Sequence, residues 1–289
     1  MIWQFIVNGV ITGMIYGVVA LGFALVYNTT RIFHIAYAAI YMVAPYLLMF
    51  LFKGVGIPLL FSVILAMSGT VVIGMAVELL VYTPLIRHKS SSSVIMVSSI
   101  GAMIIIINVV ALFAGNETKV INTEIAKSLK IGQVLITYTQ LIQFVSSLLL
   151  FIAFFAFLKF SRFGIQTRAY RDDATLSAVL GLNTLRLRRI LYILSSLFAG
   201  IGSCLIAWDV GMDPYVGMPM LLNAMVALII GGIGRFEAPV LGGVLIGILQ
   251  ALVVYFTSAR WQDAVTFTLL IIFLLFRPQG ILGEKIRRV

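Results

Sequence analysis

Charge is scarce in this sequence. Asp, Glu, Lys and Arg make up 10% of 289 residues, and apolar types make up 62%. A soluble domain carries about a quarter charged residues, so this composition belongs to an integral membrane protein. The apolar runs are long enough for several helices of about 20 residues. They are continuous rather than alternating, which excludes an outer-membrane barrel. The one cysteine, Cys204, lies inside an apolar run, so no disulfide can form within the chain. Two histidines, His34 and His88, stand far apart and make a poor metal site. No G-x-x-x-x-G-K-[ST] run occurs, so the chain does not itself bind ATP through a P-loop. No Ser/His/Asp arrangement has a context for nucleophilic catalysis, and the chain reads as a non-enzyme without a cofactor of its own. Acids are rarest within the apolar runs, where Glu78 lies near one edge. An ion-driven carrier usually needs acids or unwound polar backbone near mid-membrane, so this scarcity favours an energy source outside the chain.

The runs that are present can be taken in order. The N-terminus, MIWQFIVNG, has no basic region typical of a cleaved signal peptide, so the first run, 5–27, is expected to remain as a span. Gly9, Gly13 and Gly17 recur in it at four-residue spacing, which lets another helix approach closely. A second span is expected over 29–52, kinked or broken at Pro45. A third over 57–83 holds Glu78, for which Arg87 at the interface is the expected partner. Then come a polar loop at 84–93, a span at 94–114 and a charged loop at 115–138, followed by spans at 139–158 and 190–207. Residues 220–233 are short enough to be re-entrant, and 239–257 and 262–277 complete the set. Gly243 and Gly247, also four apart, repeat the small-residue signal.

The long polar segment 159–189 interrupts the oil. It carries Lys159, Arg162, Arg168, Arg171, Arg186, Arg188 and Arg189, with Asp172 and Asp173 as its acids. Ala174–Leu180 keeps an apolar beat, Gly181 suits a helix C′ position, and Asn183-Thr184 suits the cap of a following helix. The segment predicts a short amphipathic helix at the membrane surface. Two readings are open: a solvated loop that obeys the positive-inside rule, or a rigid docking surface for a soluble partner. Threading nine apolar segments with the N-terminus outside and the C-terminus inside places fifteen of the twenty basic residues on the inner side. That threading puts 159–189 in the cytoplasm and 115–138 outside. The excess positive charge thus reports topology, and nucleic acid is not an expected partner.

The runs G-I-Q-T-R-A (164–169) and D-D-A-T-L-S-A-V-L-G-L-N (172–183) resemble the coupling loop of the branched-chain amino acid ABC transporter permeases. Further pieces follow in the family's order: E-L-L-V-Y-T-P-L-I-R (78–87), S-S-I-G (98–101), G-G-I-G-R-F-E-A-P-V-L-G-G (231–243), D-A-V-T-F (263–267) and R-P-Q-G-I-L-G (277–283). One stretch departs: H-I-A-Y-A (34–38) stands where the family usually has an N-F-A-H-G-like run.

The resemblance implies an all-α, polytopic transmembrane bundle of about 8–9 segments with a cytoplasmic coupling helix, forming one permease domain over 1–289. It implies the membrane subunit of an ABC importer for branched-chain or other hydrophobic amino acids in a bacterial inner membrane. ATP would be bound by two separate cytoplasmic ATPase subunits. A second permease chain, identical or different, and an extracytoplasmic solute-binding protein would complete the assembly. Urea, short amides or aromatic acids are the alternative solutes. The rival classes are a stand-alone secondary transporter or channel and a structural membrane subunit. Expected ATPase contacts are Arg168, Arg171, Asp172, Asp173, Leu176 and Gly181, with the helix around 166–181 moving with the ATPase. Tyr16, His34, Tyr37 and Asn108 are the pathway candidates. Asp209 and Asp213 either meet the binding protein or cap the outer loop.

Overall fold

A computed structural model describes residues 2–122, 127–131, 134–277 and 279–283. Among the expected features, Glu124 in the charged loop and Pro278, Lys285, Arg287 and Arg288 near the C-terminus lie outside the described residues. The elements are almost all helical, as continuous apolar sequence demands in lipid, where every backbone polar group must find its partner within the segment. Among the described residues, eight helices are long and apolar enough to cross a membrane. They are α1 (Ile2–Thr30), α2 (Tyr37–Met49, extended by a π turn to Gly54), α3 (Leu59–Val77, continuing through a π turn, Glu78–Tyr82, into α4, Thr83–Arg87), α5 (Ser92–Ala114), α6 (Tyr138–Phe160), α9 (Thr184–Val210), α11 (Ala238–Phe256) and α12 (Gln262–Phe276, entered by a 3-10 turn). Between α6 and α9 lie two shorter helices, α7 (Arg162–Asp172) and α8 (Ala174–Val179). The expected short segment is α10, Gly217–Gly231.

The chain divides into two compact units. The first comprises Met1–Ala24, Glu124–Ala153 and Leu222–Val289. Its small residues do what their spacing predicts. A Cβ placed on Gly13 would lie 2.7 Å from the Val244 Cα, and one on Gly9 would lie 2.8 Å from the Gly247 carbonyl oxygen. Thus α1 and α11 meet backbone to backbone along Gly9, Gly13, Gly243 and Gly247. A two-stranded antiparallel hairpin, β1 (Ser128–Ile131) and β2 (Val134–Thr137), pairs Ser128 with Thr137. The Gln4 side chain holds the hairpin to α1: its amide donates to the Leu135 carbonyl at 2.7 Å and its oxygen accepts the Leu135 N–H at 2.8 Å.

The second unit comprises Leu25–Thr123 and Phe154–Leu221, with α2 at its centre. Every residue from Tyr37 to Tyr46 is buried, in contact with α3, α5 and α9. Two expectations are corrected here. The second span begins at Tyr37, not 29, and the helix runs through Pro45 without breaking. The break falls upstream, over Arg31–Ala36, where Arg31 takes φ +57. Packing on all sides holds α2 together where proline removes one donor, whereas at the upstream joint the Ala36 N–H is satisfied by the Ser99 hydroxyl instead of a helical carbonyl. The third span also runs further than its expected end, to Arg87, and 84–87 are helical.

Beyond α9 the chain turns at Gly211 (φ +92), where a Cβ would lie 2.9 Å from the Lys119 carbonyl oxygen. Met212 and Lys119 exchange two backbone hydrogen bonds of 2.8 Å. Five residues later Gly217 sits against the Ala38 carbonyl in the first turn of α2. The N-terminus of α10 therefore packs against the first turn of α2.

Candidate functional site

The polar segment 159–189 is more ordered than its composition suggests. Ser161 caps α7, accepting the Gly164 N–H at 2.9 Å, and Gly164 packs against the last turn of α6 around Phe157 and Leu158. No single helix covers 166–181, which corrects the expected moving element. The chain turns extended at Asp173 (φ −153, ψ 108), and α7 was missed because charged residues mask its repeat. Asp173 is the N-cap of α8, its carboxylate accepting Thr175 N–H at 2.8 Å and Leu176 N–H at 2.9 Å. Gly181 closes α8 at φ +82, a conformation that disfavours a Cβ. The Asn183 side chain then accepts the Arg186 N–H at 2.9 Å and starts α9.

What α8 presents outward is apolar. Leu176 is 55% exposed, Val179 79% and Leu180 72%. Arg168 and Asp172 are exposed around this face, and Arg171 donates to the Asp172 carboxylate at 2.6 and 2.8 Å. On the other side the Arg186 guanidinium lies 5.9 Å over the Phe163 ring, joining α7 to α9.

Beneath the loop sits a buried charge pair that joins α9 to the third span. Glu78 is fully buried, and one carboxylate oxygen accepts the Arg188 Nε–H at 2.8 Å. The other accepts the Thr83 hydroxyl at 2.9 Å, while Arg188 Nη2 donates to the same hydroxyl oxygen at 3.0 Å. The expected partner, Arg87, is corrected to Arg188. Arg87 stands about two turns further along the same span, at the C-terminal end of α4, whereas Arg188 enters from α9. Tyr170 of α7 lies near enough for the Arg188 charge to act on it. Burial raises the pKa of its hydroxyl, and the guanidinium works against that rise.

A second buried cluster adjoins this pair at the α1–α2 joint. His34 is fully buried, with Nδ1 2.7 Å from the Tyr82 hydroxyl. Tyr82 is 2.6 Å from the Ser99 hydroxyl, which accepts the Ala36 N–H at 2.9 Å. Nδ1 and the two hydroxyls thus form one continuous hydrogen-bonded chain, whose proton direction follows the His34 tautomer. Among the described residues Nε2 has no hydrogen-bond partner, and it lies among aromatic rings: the His34 ring is 5.8 Å from Tyr37 and 5.2 Å from Tyr192. Tyr82 and Tyr192 also touch each other, at 5.5 Å between centroids.

The structure brings together two of the four pathway candidates, His34 and Tyr37. Both are closed off from the surface of the chain. Asn108 is on the exposed face of α5, its amide donating to the Ile104 carbonyl at 2.8 Å. Tyr16 belongs to the first unit, in a polar knot of its own. Its hydroxyl donates to Gln250 at 2.9 Å, and the Gln250 amide donates to Thr266 at 2.9 Å and Asn223 at 3.3 Å. Sequence reasoning passed over Asn223, Gln250 and Thr266, although lone polar residues within apolar runs were the available signal. Asp209 is exposed, and Asp213 accepts the Tyr215 N–H at 2.8 Å, so a local capping role is real for the latter.

Residues 5–274 match the family described as branched-chain amino acid transport system / permease component. The chain belongs to this family. It is a multi-pass membrane permease. Among curated relatives, it is 29% identical over 295 residues to the high-affinity branched-chain amino acid transport system permease protein BraD of Pseudomonas aeruginosa, covering 97% of this chain and 95% of that one. LivH of Escherichia coli K12, with the same description, is 28% identical, with 96% and 94% covered. A probable branched-chain amino acid transport permease protein LivH of Methanocaldococcus jannaschii is 26% identical, with 93% and 90% covered. Among solved structures, a chain of PsaBC from Streptococcus pneumoniae in complex with Fab superposes with a TM-score of 0.54 at 15% identity. It covers 96% of this chain and 93% of that chain, a likeness of fold alone.

Proposed function

We propose that this permease is the membrane subunit of an ATP-driven importer for branched-chain or other hydrophobic amino acids. The observation that carries the coupling assignment is the build of 162–189. A capped α8 shows Leu176, Val179 and Leu180 to the outside, while the neighbouring α9 reaches the buried Glu78 through Arg188 and stacks Arg186 on Phe163 of α7. A solvated loop has no use for an exposed apolar helix face anchored to a buried charge. Arg168, Arg171, Asp172, Asp173, Leu176 and Gly181 form the docking surface for a cytoplasmic ATPase, and two such subunits supply the energy. Both compact units act as one permease domain. The N-terminus lies outside and the C-terminus inside, in a bacterial inner membrane.

A second permease chain completes the pathway, and a solute-binding protein docks outside near Asp209 and Asp213. Tyr16, His34, Tyr37 and Asn108 remain the pathway candidates. The first two of these elements to move are the α7–α8 pair and, through Arg188, α9. The alternative solute class is urea, short amides or aromatic acids, and the run His34–Ala38 is the stretch that leaves room for it. That run replaces the usual family residues at a joint where the histidine is buried among tyrosines.

ATP-dependent uptake into proteoliposomes, with the co-purified ATPase and Arg171→Glu beside the wild type, tests this reading. Charge reversal should lose the ATPase or abolish uptake while the bundle stays folded. Unchanged uptake, or uptake without ATPase, refutes it.

A further inference from the structure

A groove of about 620 Å³ opens on the second unit between α2, α3 and α5. Its walls are aliphatic and aromatic, from Val43 and Ile73 at one end to Phe50 and Phe113 towards the other. Its charged lining residues are two lysines. Lys53 sits in the π turn that ends the second span, and Lys119 follows the C-terminus of α5. Neither forms an ion pair with another described residue. Lys53 donates one hydrogen bond, to the Val120 carbonyl at 3.1 Å, which leaves two of its ammonium donors for a ligand.

The dimensions say what fits. From Val43 to Lys53 is ten residues of helix, about 15 Å at 1.5 Å per residue. That is half of the roughly 30 Å hydrocarbon thickness of a bilayer. The groove thus runs from the polar boundary to about the membrane midplane, the depth of one leaflet, with both cations at the boundary end. An amino acid solute would need an acid for its ammonium group, and the lining contains none.

We propose that this groove is a binding site for an anionic phospholipid, with an acyl chain along Val43, Leu47, Ile106 and Val109 and the phosphate between Lys53 and Lys119. The chain contacts are apolar and tolerant, so they set affinity, while the two ammonium groups select the headgroup. A site of this kind fixes the outer end of α2, the central helix of the unit, and makes its stability depend on lipid composition. The proposal needs only the membrane setting and stands apart from the importer reading.

The test uses the permease as purified in mild detergent, titrated with phosphatidylglycerol or phosphatidylcholine of identical chains and followed by native mass spectrometry and thermal unfolding. Phosphatidylglycerol should bind preferentially and raise the unfolding midpoint. Lys53→Gln and Lys119→Gln, both at the rim, should each weaken that preference about fivefold without affecting phosphatidylcholine. Val109→Trp, which fills the groove from an exposed position, should remove both lipids from the site with the lysines intact. Equal binding of the two lipids, or a preference untouched by the lysine variants, overturns the proposal. So does a groove found covered by a second permease chain in the purified complex.

Discussion

Glu78→Gln is the sharpest perturbation the fold offers. The substitution keeps the size of the side chain and an oxygen for the Arg188 Nε–H, so the geometry at 2.8 Å can persist. What it removes is charge. Arg188 has 9% of its side chain exposed and Glu78 none, so the guanidinium is left without a counter-ion in a place water barely reaches. Breaking a buried pair from one side costs about 3–5 kcal/mol, and the retained hydrogen bond argues for the lower end. Thr83 adds to the cost, because its hydroxyl now donates to Glu78 and would face an amide N–H₂ instead. Removing both charges, as in Glu78→Gln with Arg188→Met, should recover most of the loss, since a neutral pair has no uncompensated ion. Reversible unfolding in mixed micelles, run as a double-mutant cycle, measures both numbers. A single-variant cost below about 1 kcal/mol is what a solvated surface pair would give, and it would refute the buried-pair reasoning. Uptake adds the functional half. If the double variant regains stability but not ATP-driven transport, the pair transmits motion from the loop as well as holding α9 to the third span.

Three further outcomes follow from local geometry. Gly13→Ala should destabilise the bundle by about 1–3 kcal/mol, because its Cβ would meet the Val244 backbone at 2.7 Å. Gly101→Ala in α5, with open space around it, should change stability by less than about 1 kcal/mol in the same micelle assay, or raise it. Asp173→Ala removes an acceptor shared by two N–H groups and should cost α8 about 1 kcal/mol. The loss should appear as faster hydrogen exchange at Thr175 and Leu176 with global unfolding unchanged, and Asp173→Asn should restore protection.

The spans were legible because apolar runs leave the backbone one solution in lipid. Gly9, Gly13, Gly243 and Gly247 were legible for a related reason: only a close helix contact explains small residues four apart in a chain rich in leucine. The C-terminal stop of α8 and the cap of α9 could be read from Gly181 and Asn183, whose backbone freedom or side chain acts within three residues. The α1–α2 joint could not. Proline advertises a break, and a reader of sequence goes to Pro45. The break at Arg31–Ala36 instead depends on a non-local chain of bonds from His34 through Tyr82 to Ser99, which reaches across three helices.

The partner of Glu78 shows how far such a failure can be repaired. A carboxylate buried in a span must meet a cation, and most of the chain's basic residues lie on its expected side of the membrane. Arg87 is near in sequence, yet it stands about two turns away along the same span, at its end. Lys89 and Arg31 stand at ends where the helix has already stopped. Among the basic residues of 159–189, periodicity separates Arg188 from its neighbours. Leu187 and Leu191 are buried one turn apart, with Arg188 and Tyr192 buried beside them at the same interval. A basic residue in step with the buried stripe of a new span cannot reach water and must already be paired. Read that way, Arg188 belongs to the membrane core and Arg186 to the loop, although only Leu187 stands between them. The boundary between the cytoplasmic-loop residues proposed for docking and the buried core of the span therefore runs through the first turn of α9.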